Sequence, residues 1–201
     1  MSVRQRTTVI RSSGSYVPPQ IVTNEMLSRI MDTTDEWIVP RTGIRERRFV
    51  ERGVGPAELA EHAARAALQK AGLTPADVDF VVFATMTPDH FFPGSGGLLA
   101  ARLGMSTTHA LDIRMQCAGF LSGLQTADAF IRSGTYDRIL LVGAEVHSGL
   151  MPWPESVWDV MLGLSEFKAG AYDKAEEHFK AAGTGPIGEL TSTLAKGWIR
   201  V

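Results

Sequence analysis

Ala110-Leu111-Asp112-Ile113-Arg114-Met115-Gln116-Cys117-Ala118-Gly119-Phe120 contains the one cysteine of the chain. The apolar, alternating run that ends near Ile113 reads as a buried strand. A helical pattern starts at about Cys117 and continues through Leu121, Leu124, Ala127, Ala129 and Phe130 to Ser133-Gly134. Cys117 is therefore expected where a strand hands over to a helix. The first N–H groups of a helix have no partner within it, and the local dipole is positive. Such a position favours the thiolate, the form in which a cysteine acts as a nucleophile. The alternative role for a free cysteine is that of a small buried hydrophobe, and position alone does not choose between the two.

Moving outward, Val78 to Met86 (VDFVVFATM) is a near-continuous apolar run, as expected of a strand buried on both faces. Tyr136 to Glu145 (YDRILLVGAE) reads the same way. Gly55-Pro56-Ala57-Glu58-Leu59 opens an amphipathic helix with Leu59, Ala60, Ala63, Ala64, Ala67, Leu68 and Ala71 on its apolar face and Gly72 as its stop. Leu98 to Leu103 is a small-residue helix ending at Gly104. This alternation of strand and helix indicates parallel βαβ units in an α/β layered fold. Thr87 to Gly97 is a loop rich in Pro, Gly and aromatics that holds Asp89, His90, Phe91 and Phe92. Its Gly94-Ser95-Gly96-Gly97 lacks the spacing and the following acid of a dinucleotide fingerprint, and reads as a loop-to-helix start.

Nearer the N-terminus, Thr7 to Ser12 is strand-like and Gly14-Ser15-Tyr16-Val17-Pro18-Pro19 is a loop. Thr23-Asn24 looks like the N-cap of a helix running through Met26, Leu27, Ile30 and Met31. Asp32-Thr33-Thr34-Asp35-Glu36-Trp37-Ile38 is a second helix start, interrupted by Pro40. Four arginines follow between Arg41 and Arg48. They are either a solvated face or a phosphate clamp, and Trp37 upstream adds a stacking surface to the second reading. The texture changes at Pro152-Trp153-Pro154, and from Ser156 onward no strand pattern remains. Trp158, Met161, Leu162 and Leu164-Ser165 form one helical face, and Tyr172, Ala175, Phe179 and Ala182 another after Gly170. Gly183 to Pro186 ends that helix and a last helical run covers Glu189 to Trp198. The expected division is residues 1–155 and a helical hairpin over 156–201, with the junction inside 153–164.

The 201 residues suffice for one domain with a sizeable core, or one domain with an appendage. Hydrophobic residues at 44% and charged residues at 21% are ordinary for a globular protein, and a net charge of −2 gives no nucleic-acid signal. One cysteine excludes an internal disulfide framework and fits a reducing compartment. Met1 to Arg11 has basic residues without an apolar core, so no signal peptide is expected. No window approaches the ~20 apolar residues of a membrane span, and a cytoplasmic protein is expected. Glu176-Glu177-His178 and Asp89-His90 lack a further ligand at metal spacing, so no metal is expected.

Two stretches carry a resemblance. Asp32-Thr33-Thr34-Asp35-Glu36-Trp37-Ile38-Val39-Pro40-Arg41-Thr42-Gly43-Ile44-Arg45-Glu46-Arg47 resembles a signature of β-ketoacyl-ACP synthase III. Gln116-Cys117-Ala118-Gly119-Phe120, with its helix and Leu141-Val142-Gly143-Ala144-Glu145 on the next strand, does too. The similarity runs from about Thr8 to about Gly163. It implies a thiolase-like fold of two similar α/β halves, each a mixed sheet between helices, in a homodimer. It implies decarboxylative Claisen condensation of an acyl-CoA with malonyl-ACP in fatty acid or related biosynthesis. Cys117 would take the acyl group as a thioester, its own backbone N–H forming one arm of the oxyanion hole. Trp37 would stack on the adenine of CoA, with Thr33 and Arg41 on the nucleotide. Phe92 matches a position near the dimer interface that limits the acyl pocket. No tightly bound cofactor is implied, because the CoA thioester is a substrate.

The departures from the family pattern concern its second half. The family's catalytic histidine and asparagine come from there. None of the five histidines here, His62, His90, His109, His147 and His178, has the family's His-Gln-Ala-Asn context. The Phe-Gly-Asp-Gly-Ala signature of the first half's last strand is missing as well. Condensation by this chain alone is therefore expected to be crippled, and acyl transfer to Cys117 is the step left to it. In the tail, Leu162-Gly163, Gly170, Tyr172, Ala175, Phe179, Ala182 and Pro186 are similar to a tetratricopeptide repeat. A generic amphipathic hairpin accounts for them equally. The alternatives to an acyltransferase are a non-catalytic interaction module and a truncated or recombined fragment without selected function.

Overall fold

The computed structural model describes residues 6–150 and 155–181. In chain order the elements are β1 (Gln20–Thr23), α1 (Asn24–Ser28), α2 (Asp35–Thr42), β2 (Glu46–Phe49), α3 (Pro56–Ala71), β3 (Phe80–Ala84), α4 (Gly96–Arg102), β4 (His109–Ile113), α5 (Gly119–Ser133), β5 (Ile139–Gly143), α6 (His147–Leu150), α7 (Glu155–Lys168) and α8 (Tyr172–Ala181). The described residues form two compact units, one from 6–17 and 53–147, the other from 18–52, 148–150 and 155–181.

The first unit is built on a parallel sheet in the order β4-β3-β5. β3 pairs with β4 from Phe80↔His109 to Ala84↔Ile113, and with β5 from Phe80↔Ile139 to Ala84↔Gly143. Every residue of β3 is buried, as Phe-Val-Val-Phe-Ala offers no polar face to water. Its alternation sorts two cores. Val81 and Phe83, with Leu140 and Val142 of β5, pack against Ala57, Ala60, Ala64 and Leu68 of α3 and Leu99 of α4. On the opposite face Phe80 stacks on Tyr136 at 4.4 Å and meets Phe130 of α5 edge-on at 5.5 Å. α5 lies close to this face because Gly123 has no side chain; a Cβ there would stand 2.6 Å from Leu141 Cδ1. The fold is thus the parallel, helix-flanked α/β arrangement expected from the strand–helix alternation.

Two expectations are corrected here. Thr7 to Ser12 is not a strand. No strand of the described residues pairs with it, and Val9 and Ile10 are 70% and 72% exposed. Strand propensity does not make a strand without a ladder to join. The following residues are instead tied to α3: Ser12 Oγ donates to the Ala67 carbonyl at 2.7 Å, Lys70 Nζ donates to the Ser13 carbonyl at 3.1 Å, and Tyr16 stacks on His62 at 4.3 Å. Gly14 permits this, since a Cβ would fall 2.1 Å from the Ala63 carbonyl oxygen. Nor is β4 a buried strand. It lies at the edge of the sheet, and His109, Ala110 and Leu111 are exposed.

In the second unit β1 and β2 form an antiparallel ladder from Gln20↔Phe49 to Thr23↔Glu46. Neither was legible in the sequence as a strand. Thr23 caps α1 as expected, its hydroxyl accepting from Met26 N at 3.3 Å, but α1 stops at Ser28. Buried Asn24 joins the pieces: its Nδ2 donates to Asp35 Oδ1 and to the Ile44 carbonyl, both at 2.8 Å, and its Oδ1 accepts from Arg47 at 2.7 Å. Burial pulls the Arg47 guanidinium below its ordinary value. Pro40 sits within α2 and does not interrupt it. Its missing N–H forfeits one helical bond near the C-terminal end. α2 then closes three residues later on Gly43, at φ +71°.

α7 and α8 form the expected helical hairpin, turning at Gly170 with φ +81°. Gly163 faces the Phe179 ring, to which a Cβ would come within 2.6 Å, and Ala175 and Phe179 are buried beside Leu164 and Phe167. The side chains of Trp158 and Met161, the Pro152-Trp153-Pro154 break, Ala182, Gly183 to Pro186 and the run Glu189 to Trp198 lie outside the described residues. No helix among the described residues is long and apolar enough to cross a membrane.

Glu61 of α3 accepts from Arg65 at 2.8 Å and, across to α4, from Arg102 Nε at 2.8 Å. The bond from Arg65, more than the one from Arg102, holds its carboxyl below the usual glutamate value. A depressed carboxylate stabilises the fold above its unfolded-state value, and that contribution disappears as pH falls through the folded one. Glu61→Gln should therefore lower the melting temperature at neutral pH and lose the difference from wild type under acid, as a pH series of thermal melts would register.

Candidate functional site

Cys117 lies where β4 turns into α5. After Ile113 the chain tightens into a 3-10 turn over Gln116–Ala118, with Ala118 N donating to the Met115 carbonyl at 3.0 Å, and runs directly into α5. Gln116, the residue before the cysteine, has φ +42°, in the left-handed region that favours glycine. Three small residues seat the start of α5 on the carboxyl ends of the central strands. Cβ atoms added at Gly119, Gly143 and Gly123 would approach Ala84 Cβ at 3.2 Å, the Phe120 ring at 3.1 Å and Leu141 at 2.6 Å. Cys117 is thereby held at the carboxyl end of a parallel sheet, at the opening of a 15-residue helix. It is free and exposed among the described residues. The hydrophobic side chains of Met115, Phe120 and Leu121 flank it and are exposed.

The loop between β3 and α4 is held from both neighbouring strands. From the β5 side, Glu145 Oε1 accepts from Met86 N at 2.8 Å, and its Oε2 accepts from Thr87 Oγ1 at 2.7 Å and Thr85 Oγ1 at 3.3 Å. Val146 N donates in turn to Thr87 Oγ1 at 2.9 Å. From the β4 side, Asp112 accepts from Ser95 N at 2.6 Å and Gly96 N at 2.8 Å. Ser95 Oγ accepts from Asp89 N at 3.0 Å, and Asp89 Oδ2 accepts from Ala57 N at 3.1 Å. Phe91 and Phe92 stand out from this loop at 86% and 89% exposed, and the Arg114 guanidinium lies 4.7 Å from the Phe91 ring centroid. No role for Asp112, Asp89, Ser95 or Glu145 was read from the sequence. The signal available was an acid within an otherwise apolar strand, close in the fold to a Gly-Ser-Gly-Gly helix start.

Cys117 and Phe92 belong to the first unit; Thr33, Trp37 and Arg41 belong to the second. Within the second unit Thr34 caps α2 by accepting from Trp37 N at 3.2 Å, and Thr33, just before the cap, is half-buried. Trp37 is 55% exposed. Arg41, one turn on, lies with its guanidinium 4.6 Å from the indole centroid and donates to the Trp37 carbonyl at 3.0 Å. The four arginines are thus not one clamp. Arg47 serves Asn24 and the Val22 carbonyl, and Arg48 donates to the Pro18 and Pro19 carbonyls. Only Arg41 stands beside the indole. Among the described residues no group of three or more His, Cys, Asp or Glu is placed to hold a metal ion.

The family description "3-oxoacyl-[acyl-carrier-protein (ACP)] synthase III" matches residues 111–163. β-Ketoacyl-[acyl-carrier-protein] synthase III of Rhizobium meliloti (strain 1021) is 43% identical over 187 residues, 92% of this chain and 56% of that protein. The 3-oxoacyl-[acyl-carrier-protein] synthase III structure from Aquifex aeolicus VF5 is 41% identical with a TM-score of 0.66, over 69% of this chain and 44% of that one. The synthase III structure from Thermus thermophilus is 37% identical with a TM-score of 0.69, over 73% and 45%. The chain spans about half the length of the curated relatives it matches.

The left-handed Gln116 yields a direct test. A β-branched side chain fits that backbone worst and glycine best. Urea denaturation should rank Gln116→Gly at or above wild type and Gln116→Ile below it, with a spread of about 1–2 kcal/mol.

Proposed function

The chain belongs to the β-ketoacyl-ACP synthase III family, and on that premise we propose that it carries the acyl-accepting part of a ketosynthase: Cys117 takes an acyl group from a CoA thioester. The Cys117 sulfur attacks the thioester carbonyl carbon, a new C–S bond forms, the bond to the CoA sulfur breaks, and CoA leaves as a thiol with the proton given up by the cysteine. The oxyanion forms beside the backbone N–H of Cys117 itself, one arm of the oxyanion hole, at the positive end of the α5 dipole. The observation that carries this reading is an exposed cysteine in a strained strand-to-helix turn, inside the Gln-Cys-Ala-Gly-Phe context.

In the same reading Trp37 stacks on the adenine of CoA, with Thr33 and Arg41 on the nucleotide; Trp37 is more than half exposed, and the Arg41 cation lies against its ring. Phe92 lies near the interface of a homodimer and limits the acyl pocket. Its exposure, and that of Leu111 on the edge strand β4, leave apolar surface for a second copy to cover. Condensation with malonyl-ACP, in fatty acid or related biosynthesis, uses the histidine and asparagine of the family's second half. The reading needs no resident cofactor and is set in the cytoplasm. The helical piece over 156–201 is tetratricopeptide-like in its spacing in this proposal, and its described part shares a compact unit with residues 18–52.

Incubation with radiolabelled acetyl-CoA should leave label on the wild-type chain and none on Cys117→Ala; equal label on the two would end the proposal. Trp37→Ala should raise the acetyl-CoA concentration needed for half-maximal labelling about tenfold, the scale of one lost base–aromatic stack. No change would remove Trp37 from the nucleotide site.

A further inference from the structure

Asn24, the first residue of α1, is 1% exposed, and both ends of its amide are engaged. Its Nδ2 donates to Asp35 Oδ1 and to the Ile44 carbonyl, both at 2.8 Å, and its Oδ1 accepts from Arg47 at 2.7 Å. Two acceptors on one side and a cation on the other fix which way the amide points. A carboxylate in its place would face Asp35 and a carbonyl, and an apolar side chain would offer nothing to any of the three partners. Two of those partners lie at opposite ends of one helix. Asp35 is the first residue of α2, and Ile44 follows Gly43, which closes it. Burial does little to hold α2, since Ile38 is its one buried residue and Glu36, Trp37, Pro40 and Arg41 are exposed. A single apolar anchor leaves a short helix free to roll, whereas one buried group bonded at both of its ends does not. Between the two holds α2 presents Trp37 and Arg41, the guanidinium 4.6 Å from the indole centroid.

We propose that Asn24 is a positioning residue for the nucleotide site: by holding both ends of α2 it fixes the face that offers the Trp37 indole and the Arg41 guanidinium to an adenine nucleotide. It touches no substrate atom. Its bearing on affinity rests on the reading of Trp37 and Arg41 as the CoA nucleotide site; its hold on α2 does not. Asn24→Leu keeps the shape and the net charge but removes both donors. Asp35→Ala, at an exposed residue, releases the first end of α2 alone. It also removes a negative charge, which by itself would favour an anionic nucleotide, so weaker binding in that variant reports position.

The test uses the full chain. The Kd for CoA is measured by titration calorimetry. Capture of label is measured over a concentration series of acetyl-CoA and of S-acetylpantetheine, which lacks the nucleotide. In both variants the Kd for CoA and the half-maximal acetyl-CoA concentration should rise about threefold or more, short of the roughly tenfold set by loss of the indole itself. The half-maximal S-acetylpantetheine concentration and the label taken at saturation should stay at their wild-type values. A merely structural role would instead lower the label at saturation with both thioesters alike, and that result overturns the proposal. An unmoved Kd for CoA in both variants overturns it as well. If melting shows that Asn24→Leu does not fold, Asp35→Ala decides by the same comparison. A Trp37→Ala chain that binds CoA as wild type does overturns the nucleotide reading instead. Hydrogen exchange at the α2 amides then decides the hold alone: it should quicken in both variants, and unchanged exchange overturns the role of Asn24.

Discussion

Phe80–Ala84 is paired along both edges and covered on both faces, with every residue buried. A parallel strand with no polar side chain has nowhere stable to be except between two layers. The alternation of its side chains demands an apolar helix layer on each side. α3 and α4 meet that demand with small residues, Ala57, Ala60, Ala64 and Ala100, which let the helices lie close above Val81 and Phe83. α5 meets it with Gly119 and Gly123 on the opposite face. Truncating a fully buried phenylalanine such as Phe83 removes about 3–5 kcal/mol, a large share of the stability of a domain this size.

The same packing places the cysteine. Parallel strands all end on one side of the sheet, and chains leaving that side form its crevices. β4 ends there, and the glycines that bring α5 down onto β3 and β5 leave only a 3-10 turn between strand and helix. The left-handed Gln116 is the consequence of that short connection. A position that strained persists only where its surroundings over-determine it. Here they are Gly119 against Ala84, Phe120 against Gly143, and the Thr85 N–H donated to the Ile113 carbonyl at 3.1 Å.

How much of this was legible in the sequence follows from how local each signal is. The apolar run of β3, the amphipathic α3 and the α5 start near the cysteine are read from a few adjacent residues, and they stand; β5 is a strand as expected, but it lies at the other edge of the described sheet, with Ile139 and Leu141 only half-buried and Gly143 exposed. What failed depended on partners distant in sequence. Thr7 to Ser12 has strand composition but no ladder. Glu46–Phe49 carries two arginines and looked like a solvated charge run, yet it pairs with β1 because Asn24 and backbone carbonyls absorb those guanidinium groups. β4 alternates as a buried strand would, and only the strand order reveals it as an edge. Among the candidate residues, Cys117 in the first unit and Trp37 and Arg41 in the second announce themselves by residue type. Asp112, Ser95, Asp89 and Glu145 do not, since their roles are hydrogen bonds to backbone groups between 6 and 59 positions away.

Those four residues explain why a loop so apolar at its tip is fixed at its base. Phe91 and Phe92 gain nothing from water, and a flexible loop would turn them inward or onto one another. Two carboxylates prevent this by accepting backbone N–H groups, Glu145 just after β3 and Asp112 just before α4. Charge-assisted bonds to backbone donors are roughly twice as strong as neutral ones and more directional, so they hold the loop without adding bulk at its tip. The exposed aromatics then cost their hydration before any ligand or second subunit arrives, and that cost is recovered when apolar surface covers them. The exposed cysteine in its strained turn and the aromatic ring gripped by Arg114 thus depend on one strand, β4, and the residues that continue it.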